Sequence, residues 1–192
     1  MPGAGNPDAE IMFIGEAPGY NEDKQGLPFV GKSGKYLEEL LATINLTRDD
    51  VFIANIIKCR PPDNADPLES QIEACKPYIQ AQIEALDPLL IVTLGRFSMA
   101  MFFPNEKVSR IHGNAKYDAR RAYYPLYHPA YALRNESKKV EMVEDFARIP
   151  RLLEEIREKR QSALIDGIPS STTKDDAPLV DDDAPTQKGL FD

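Results

Sequence analysis

Only two cysteines, Cys59 and Cys75, occur in 192 residues. That excludes a disulfide-built scaffold and leaves free, metal-binding or catalytic thiols. No apolar run reaches the roughly eighteen residues of a membrane span, and no basic-then-apolar leader opens the chain. The expectation is therefore a cytoplasmic protein with no membrane partner. Positive charge is also scarce: the net charge is -8, which weighs against nucleic acid, whose binding is driven largely by phosphate neutralisation. The deficit is uneven, however. From Gln161 to Asp192 seven Asp face two Lys, a net of -5, and the first 160 residues carry only -3. There, Lys24, Lys32, Lys35, Lys58, Arg60, Arg134, Lys138 and Lys139 fall in or beside expected loops, so a local basic face remains compatible with DNA.

What is present is an alternation of buried strands and amphipathic helices. Glu10 to Ile14 reads as a buried strand, Ser33 to Ile44 as a helix capped by Ser33, and Val51 to Ile57 as a second strand. Pro67 to Leu86 follows as a helix with Ile72, Cys75, Ile79, Ile83 and Leu86 on one side. Leu89 to Leu94 is a third strand, leading through Gly95 into a short helix that ends near Phe103. Pro104 to Arg121 is polar and irregular, with a small hairpin expected around His112, Gly113 and Asn114. Ala122 to Tyr127 is a fourth strand, and Ser137 to Arg160 a long helix kinked at Pro150, with Val140, Val143, Ile149, Leu152, Leu153 and Ile156 inward. This order predicts an α/β fold, a three-layer α/β/α sandwich around a mostly parallel four-stranded sheet. Residues 1–160 form the expected domain. Residues 161–192, rich in Asp, Pro, Ser and Thr, form an expected disordered acidic tail.

The connection from Gly15 to Gly34 is unusually long for a strand-to-helix link, and long ordered loops are commonly functional. Its five glycines and two prolines argue for a shaped backbone. Within it, Gly26 to Ser33 satisfies the GxxxxGK[ST] phosphate-loop pattern letter for letter. The context does not fit a nucleotide hydrolase. Eleven residues separate Ile14 from Gly26, and no later strand ends in the Asp that magnesium needs.

Four segments form a second pattern: Gly15-Glu-Ala-Pro-Gly19; Pro28-Phe29-Val-Gly31 with Ser33-Gly34; Asn55-x-x-Lys58-Cys59-Arg-Pro-Pro62-x-Asn64; and Pro125-Leu-Tyr-His128-Pro-Ala130. Together they resemble the family-4 uracil-DNA glycosylases over roughly Pro2 to Arg160. The resemblance implies a monofunctional, monomeric glycosylase of base excision repair, which hydrolyses the N-glycosidic bond of deoxyuridine in DNA and leaves an abasic site. Phe29 is implied as the residue stacking on the flipped base, Asn55 as the reader of the uracil edge, and His128 as the donor to uracil O2. Gly15 and Ala17 are implied to shape the pocket. In the related family-1 enzymes an Asp handles water where Ala17 stands here, so a dissociative reaction is implied, with Glu16 or Asn64 orienting the water. Lys58, Arg60 and Arg134 are the implied DNA contacts. Plainer readings stay open from the residues alone: Phe29 as core, Asn55 as a turn former, His128 as a strand-end surface residue, Glu16 as a loop cap.

Cys59 and Cys75 match the second cysteine pair of the family's 4Fe-4S cluster, which normally takes four thiolates. No first pair precedes the first strand, so either the N-terminus is shortened, the favoured expectation, or the cluster is lost and Cys75 is a helix core residue. Ala65 stands where the family usually has Arg. The terminal Gln187-Lys-Gly-Leu190-Phe191 resembles the peptide by which bacterial repair proteins dock on the DNA polymerase sliding clamp. A non-catalytic DNA-binding relative tethered to that clamp is the principal alternative function.

Overall fold

The computed structural model describes residues 1–165. Six strands and eight α-helices occur among them: β1 (Ala4–Gly5), β2 (Ile11–Gly15), α1 (Tyr20–Gln25), α2 (Lys32–Thr43), β3 (Phe52–Asn55), α3 (Glu69–Leu86), β4 (Leu90–Leu94), α4 (Arg96–Ala100), α5 (Val108–Ile111), β5 (Lys116–Tyr117), β6 (Ala122–Leu126), α6 (Pro129–Ala132), α7 (Glu136–Ala147) and α8 (Ile149–Ile165).

The sheet runs β1-β3-β2-β4-β6-β5. Its four inner strands are parallel, with Phe13 opposite Ile53 and Val92, and Val92 opposite Tyr124. These are the four expected strands. The expected count is nonetheless two short, because β1 and β5 add antiparallel pairs at the two edges. Two-residue strands carry too little periodicity to be read from sequence.

The unbroken apolar strands follow from burial on both sheet faces. Along β2, Ile11 and Phe13 enter a core shared with Leu37 and Leu40 of α2 and with Met142, Phe146 and Ile156 of α7 and α8. Met12 and Ile14 point the opposite way, onto Ile79 and Ile83 of α3. The connections therefore place one helical layer on each face, and loops that need irregular backbone collect at the carboxyl ends of the parallel strands, where such folds bind ligands.

Several local expectations need correction. The long loop contains a helix, α1, closed by Gly26 in the left-handed region at φ 70°. Helix α2 starts at Lys32 with Gly31 as its cap, so Ser33 lies inside it. The hairpin expected at 112–114 forms instead between β5 and β6, turned by Asp118, whose Oδ1 accepts the N–H groups of Arg120 and Arg121 at 2.7 and 2.8 Å. The final helix is two helices. Pro150 has no N–H to give and sits in the first turn of α8, where that loss costs nothing. Helix α8 runs to Ile165, past the expected helix end at Arg160; the remainder of the acidic tail and the terminal peptide lie outside the described residues. Val140 and Val143 are 57% and 42% exposed, because the larger Met142 and Phe146, four residues apart, define the inward stripe of α7 instead.

Candidate active site

Strands β2, β3 and β6 deliver three of the expected site residues to one corner. Gly15 closes β2 directly beside Asn55, which closes β3. A side chain at Gly15 would overlap Asn55 Oδ1 and the ring of Phe29, so the glycine is what lets those two groups approach each other. Asn55 is only 3% exposed, yet its Oδ1 has no hydrogen-bond partner among the described residues. A buried acceptor left unpaired costs about 1–3 kcal/mol. Such an atom is expected where a ligand completes the bond.

Phe29 is buried with φ at 53°, in the left-handed region that a non-glycine residue enters only when held there. Its ring lies offset-parallel to the His128 imidazole, with centroids 5.7 Å apart. Three residues hold it. The Arg48 guanidinium donates to the carbonyls of Pro28 at 2.5 Å and Phe29 at 2.8 Å. The Glu22 carboxylate accepts the next two amides, Val30 N–H at 2.9 Å and Gly31 N–H at 2.8 Å. Gly34 lies so close under the Phe29 carbonyl that a Cβ would collide with it. The phosphate-loop pattern is thus accounted for. Two amides that an anion would need are already occupied by the protein's own carboxylate, and Gly26 closes α1 instead of opening a phosphate cradle.

Neither Glu22 nor Arg48 stands out in the sequence. Glu22 lies on a helix too short to show a period, and Arg48 sits in a one-turn 3-10 segment, Arg48–Asp50, capped by Thr47.

His128 follows β6 and caps α6, its Nδ1 accepting the Ala130 N–H at 3.1 Å. An imidazole that accepts at Nδ1 carries its single proton at Nε2. Burial pushes the His128 pKa down to about 4, opposed by the negative charge of Glu22. The ring is therefore neutral at physiological pH and retains an N–H to donate. At Gly95, whose φ is 95°, an added Cβ would crowd the His128 Cβ at 3.1 Å.

Beside this corner opens a cavity of about 270 Å³, lined among others by Glu16, Ala17, Asn64, His128 and Arg134. Burial raises the Glu16 pKa, with Asp66 adding to the rise and Arg96 opposing it. Asp63 and Asn64 are both in the left-handed region, which turns the chain after Pro61-Pro62 and brings Asn64 to the cavity wall. The Arg60 Nε donates to Asn64 Oδ1 at 2.8 Å.

Three expected residues stand apart. The Lys58 ammonium, expected to face DNA, turns inward: it donates to the Asn55 backbone carbonyl at 2.9 Å and to Gln82 Oε1 at 2.5 Å. Burial lowers its pKa to about 8. Its tether holds the end of β3 from behind. Cys59 is exposed, whereas Cys75 is partly buried and accepts the Lys58 N–H at 3.4 Å. A 4Fe-4S cluster takes four thiolates; this sequence has two, and no group of three or more metal-binding side chains occurs among the described residues. The residues present do not by themselves fit the cluster. No helix among the described residues is long and apolar enough to cross a membrane.

The uracil DNA glycosylase superfamily model matches residues 2–155. Among curated proteins, the type-4 uracil-DNA glycosylase of Sulfurisphaera tokodaii is 46% identical over 162 residues, covering 79% of this chain and 74% of its own. That of Saccharolobus solfataricus is 46% identical over 163 residues, 80% of this chain and 76% of its own. The Archaeoglobus fulgidus enzyme of the same type is 42% identical over 176 residues, 86% of each chain.

Proposed function

Since the chain belongs to the uracil DNA glycosylase superfamily, with type-4 enzymes among its relatives, we infer that the corner formed by Gly15, Phe29, Asn55 and His128 is its uracil pocket. The protein is a uracil-DNA glycosylase, a hydrolase of N-glycosyl bonds acting in DNA repair. The observation that carries the assignment of the pocket is the buried, unpartnered Asn55 Oδ1 beside an aromatic ring and a neutral imidazole.

The chemistry follows from those groups. A uracil rotated out of the strand offers Phe29 a face to stack on, and offers the Asn55 amide an N3–H to accept from and an O4 to donate to. As the C1′–N1 bond breaks, its electron pair passes to the base and negative charge grows on N1 and O2. The His128 Nε2–H stabilises that charge in the way an oxyanion-hole donor does. Keeping the ring neutral means that no proton need be moved to the base first. The sugar is left as an oxocarbenium ion, which water attacks at C1′, losing a proton to solvent. Ala17 supplies no carboxylate for the water, so its orientation falls to Glu16 and Asn64 on the cavity wall. Arg134 on the same wall and Arg60, bonded to Asn64 there, serve the DNA backbone.

Excision of uracil from single- and double-stranded oligonucleotides tests this directly. Retained DNA binding with no release of uracil by the unaltered protein would favour the non-catalytic alternative. We further propose that Gln187, Leu190 and Phe191 engage the polymerase sliding clamp; removal of residues 187–192 should abolish clamp binding and leave excision unchanged.

A further inference from the structure

Next to the cavity, on the short helix α1, Tyr20 is 52% exposed, although its neighbour Gly19 lines the cavity. An exposed tyrosine alone is unremarkable. Two cations from different segments nonetheless converge on this ring: Lys24 Nζ at 4.4 Å and the Arg60 guanidinium carbon at 5.2 Å from its centroid. Lys24 is one helical turn along, an ordinary neighbour. Arg60 comes from the segment after β3 and is also bonded to Asn64 on the cavity wall. A single chain of contacts therefore leads from the cavity through Asn64 and Arg60 to a half-exposed aromatic ring.

An aromatic surface flanked by cations suits single-stranded nucleic acid, because every base has a π-face and every linkage a phosphate. We infer that Tyr20 is a stacking platform for the nucleobase adjoining the flipped uridine, with Lys24 and Arg60 on the neighbouring phosphates. This rests on the reading of the corner beside that cavity as the uracil pocket. It extends the site by one nucleotide along the strand, and it predicts that catalytic efficiency depends on an unmodified base flanking the uridine.

The test uses the full-length protein and single-stranded oligonucleotides with one uridine, either intact or carrying an abasic tetrahydrofuran on its 5′ or 3′ side. On the intact strand Tyr20→Ala should lower kcat/KM about 5- to 150-fold, while Tyr20→Phe and Tyr20→Trp stay within about three-fold of the parent, since both keep a stacking face. On the oligonucleotide lacking the base that Tyr20 holds, parent and Tyr20→Ala should converge. A defect of equal size on all three strands, or none on the intact one, would overturn the platform. A 2-aminopurine beside the uridine reports stacking without any need for excision: quenching on binding that is lost in Tyr20→Ala supports the platform, and quenching that persists overturns it. Failure of the uracil reading itself would appear separately, as no excision by the unaltered protein on any strand.

Discussion

The two ends of the sheet solve opposite problems. At the amino ends of the strands lies the larger cavity, about 500 Å³, lined among others by Glu10, Asp87, Arg157 and Arg160. Its charges satisfy one another: Asp87 accepts Arg120 and Arg121 at 2.9 Å each and Arg160 at 2.5 Å, and Glu10 pairs with Arg157. The smaller cavity, at the carboxyl ends, is lined in part by the dehydrated imidazole of His128, on which stacks a phenylalanine held in a left-handed conformation; Gly15 brings that ring beside a buried amide oxygen with no partner among the described residues. Cavity size is a poor guide to function here. A buried amide without a partner and a phenylalanine held at positive φ mark the working end, while charges that have satisfied one another mark the structural end.

The contrast breaks most severely at the carboxyl end. Asn55→Ala or His128→Ala should each reduce uracil excision about 100-fold or more, the scale of losing a single pre-organised donor at developing charge. Circular dichroism and thermal melting should show the fold retained. A loss below about ten-fold in either would separate the unpaired amide from catalysis.

Next in size is Arg48→Ala, which frees the carbonyls of Pro28 and Phe29. We expect excision to fall about ten-fold and stability by roughly 2 kcal/mol, the scale of charge-assisted hydrogen bonds. Arg48→Lys should recover only part of either, because an ammonium lacks the planar fork that reaches two carbonyls at once. Melting and kcat/KM on the same preparations would reveal whether the two effects move together.

At the other end the same kind of change should act on stability alone. Asp87→Asn keeps a residue tolerant of its left-handed φ of 42° but removes the charge shared by three arginines. A loss of about 1–2 kcal/mol is expected, discounted for partial exposure. Excision per folded molecule should not change; a fall in kcat would show that the two ends are coupled.

The smallest expected effect is on the pH dependence of stability. The His128 pKa is about 4 in the fold and near 6.5 unfolded, so between those values the unfolded chain binds a proton that the native one does not. Stability contributed at His128 is therefore fully present above about pH 6.5 and is lost as the pH falls toward 4. Denaturant titrations of the parent and of His128→Asn should differ in slope only across that window. Identical slopes would mean that the imidazole is not held neutral.

The sequence made much of this legible. Ile11 to Ile14, Leu89 to Leu94 and Ala122 to Tyr127 read as strands because those covered on both faces are apolar at nearly every position, Thr93 being an exception. Asn55, His128 and Phe29 stood out because they occur at strand ends or between turn-forming residues, where core packing does not explain their type. The inward turn of Lys58 was not visible. A lysine in a Pro-rich exit segment looks like a surface cation until Gln82, from a different helix, is placed within reach. Val140 and Val143 misled for a related reason, since a helix's apolar period leaves a choice of face that only the opposing Phe13 ring, stacked on Phe146 at 5.8 Å, resolves.

By itself, then, the sequence determined the alternating order of strands and helices, the parallel core sheet and the residue types at the ends of its strands. These depend on local periodicity and on backbone rules that act within a few residues. Tertiary structure alone decided that Glu22 would occupy the amides of an apparent phosphate loop, that Arg48 would fasten Phe29 from nineteen positions away, and that Asn55 would be left without a partner. Each of these is a matter of which polar group meets which across the fold, and hydrogen bonds between distant segments leave no period in the chain that forms them.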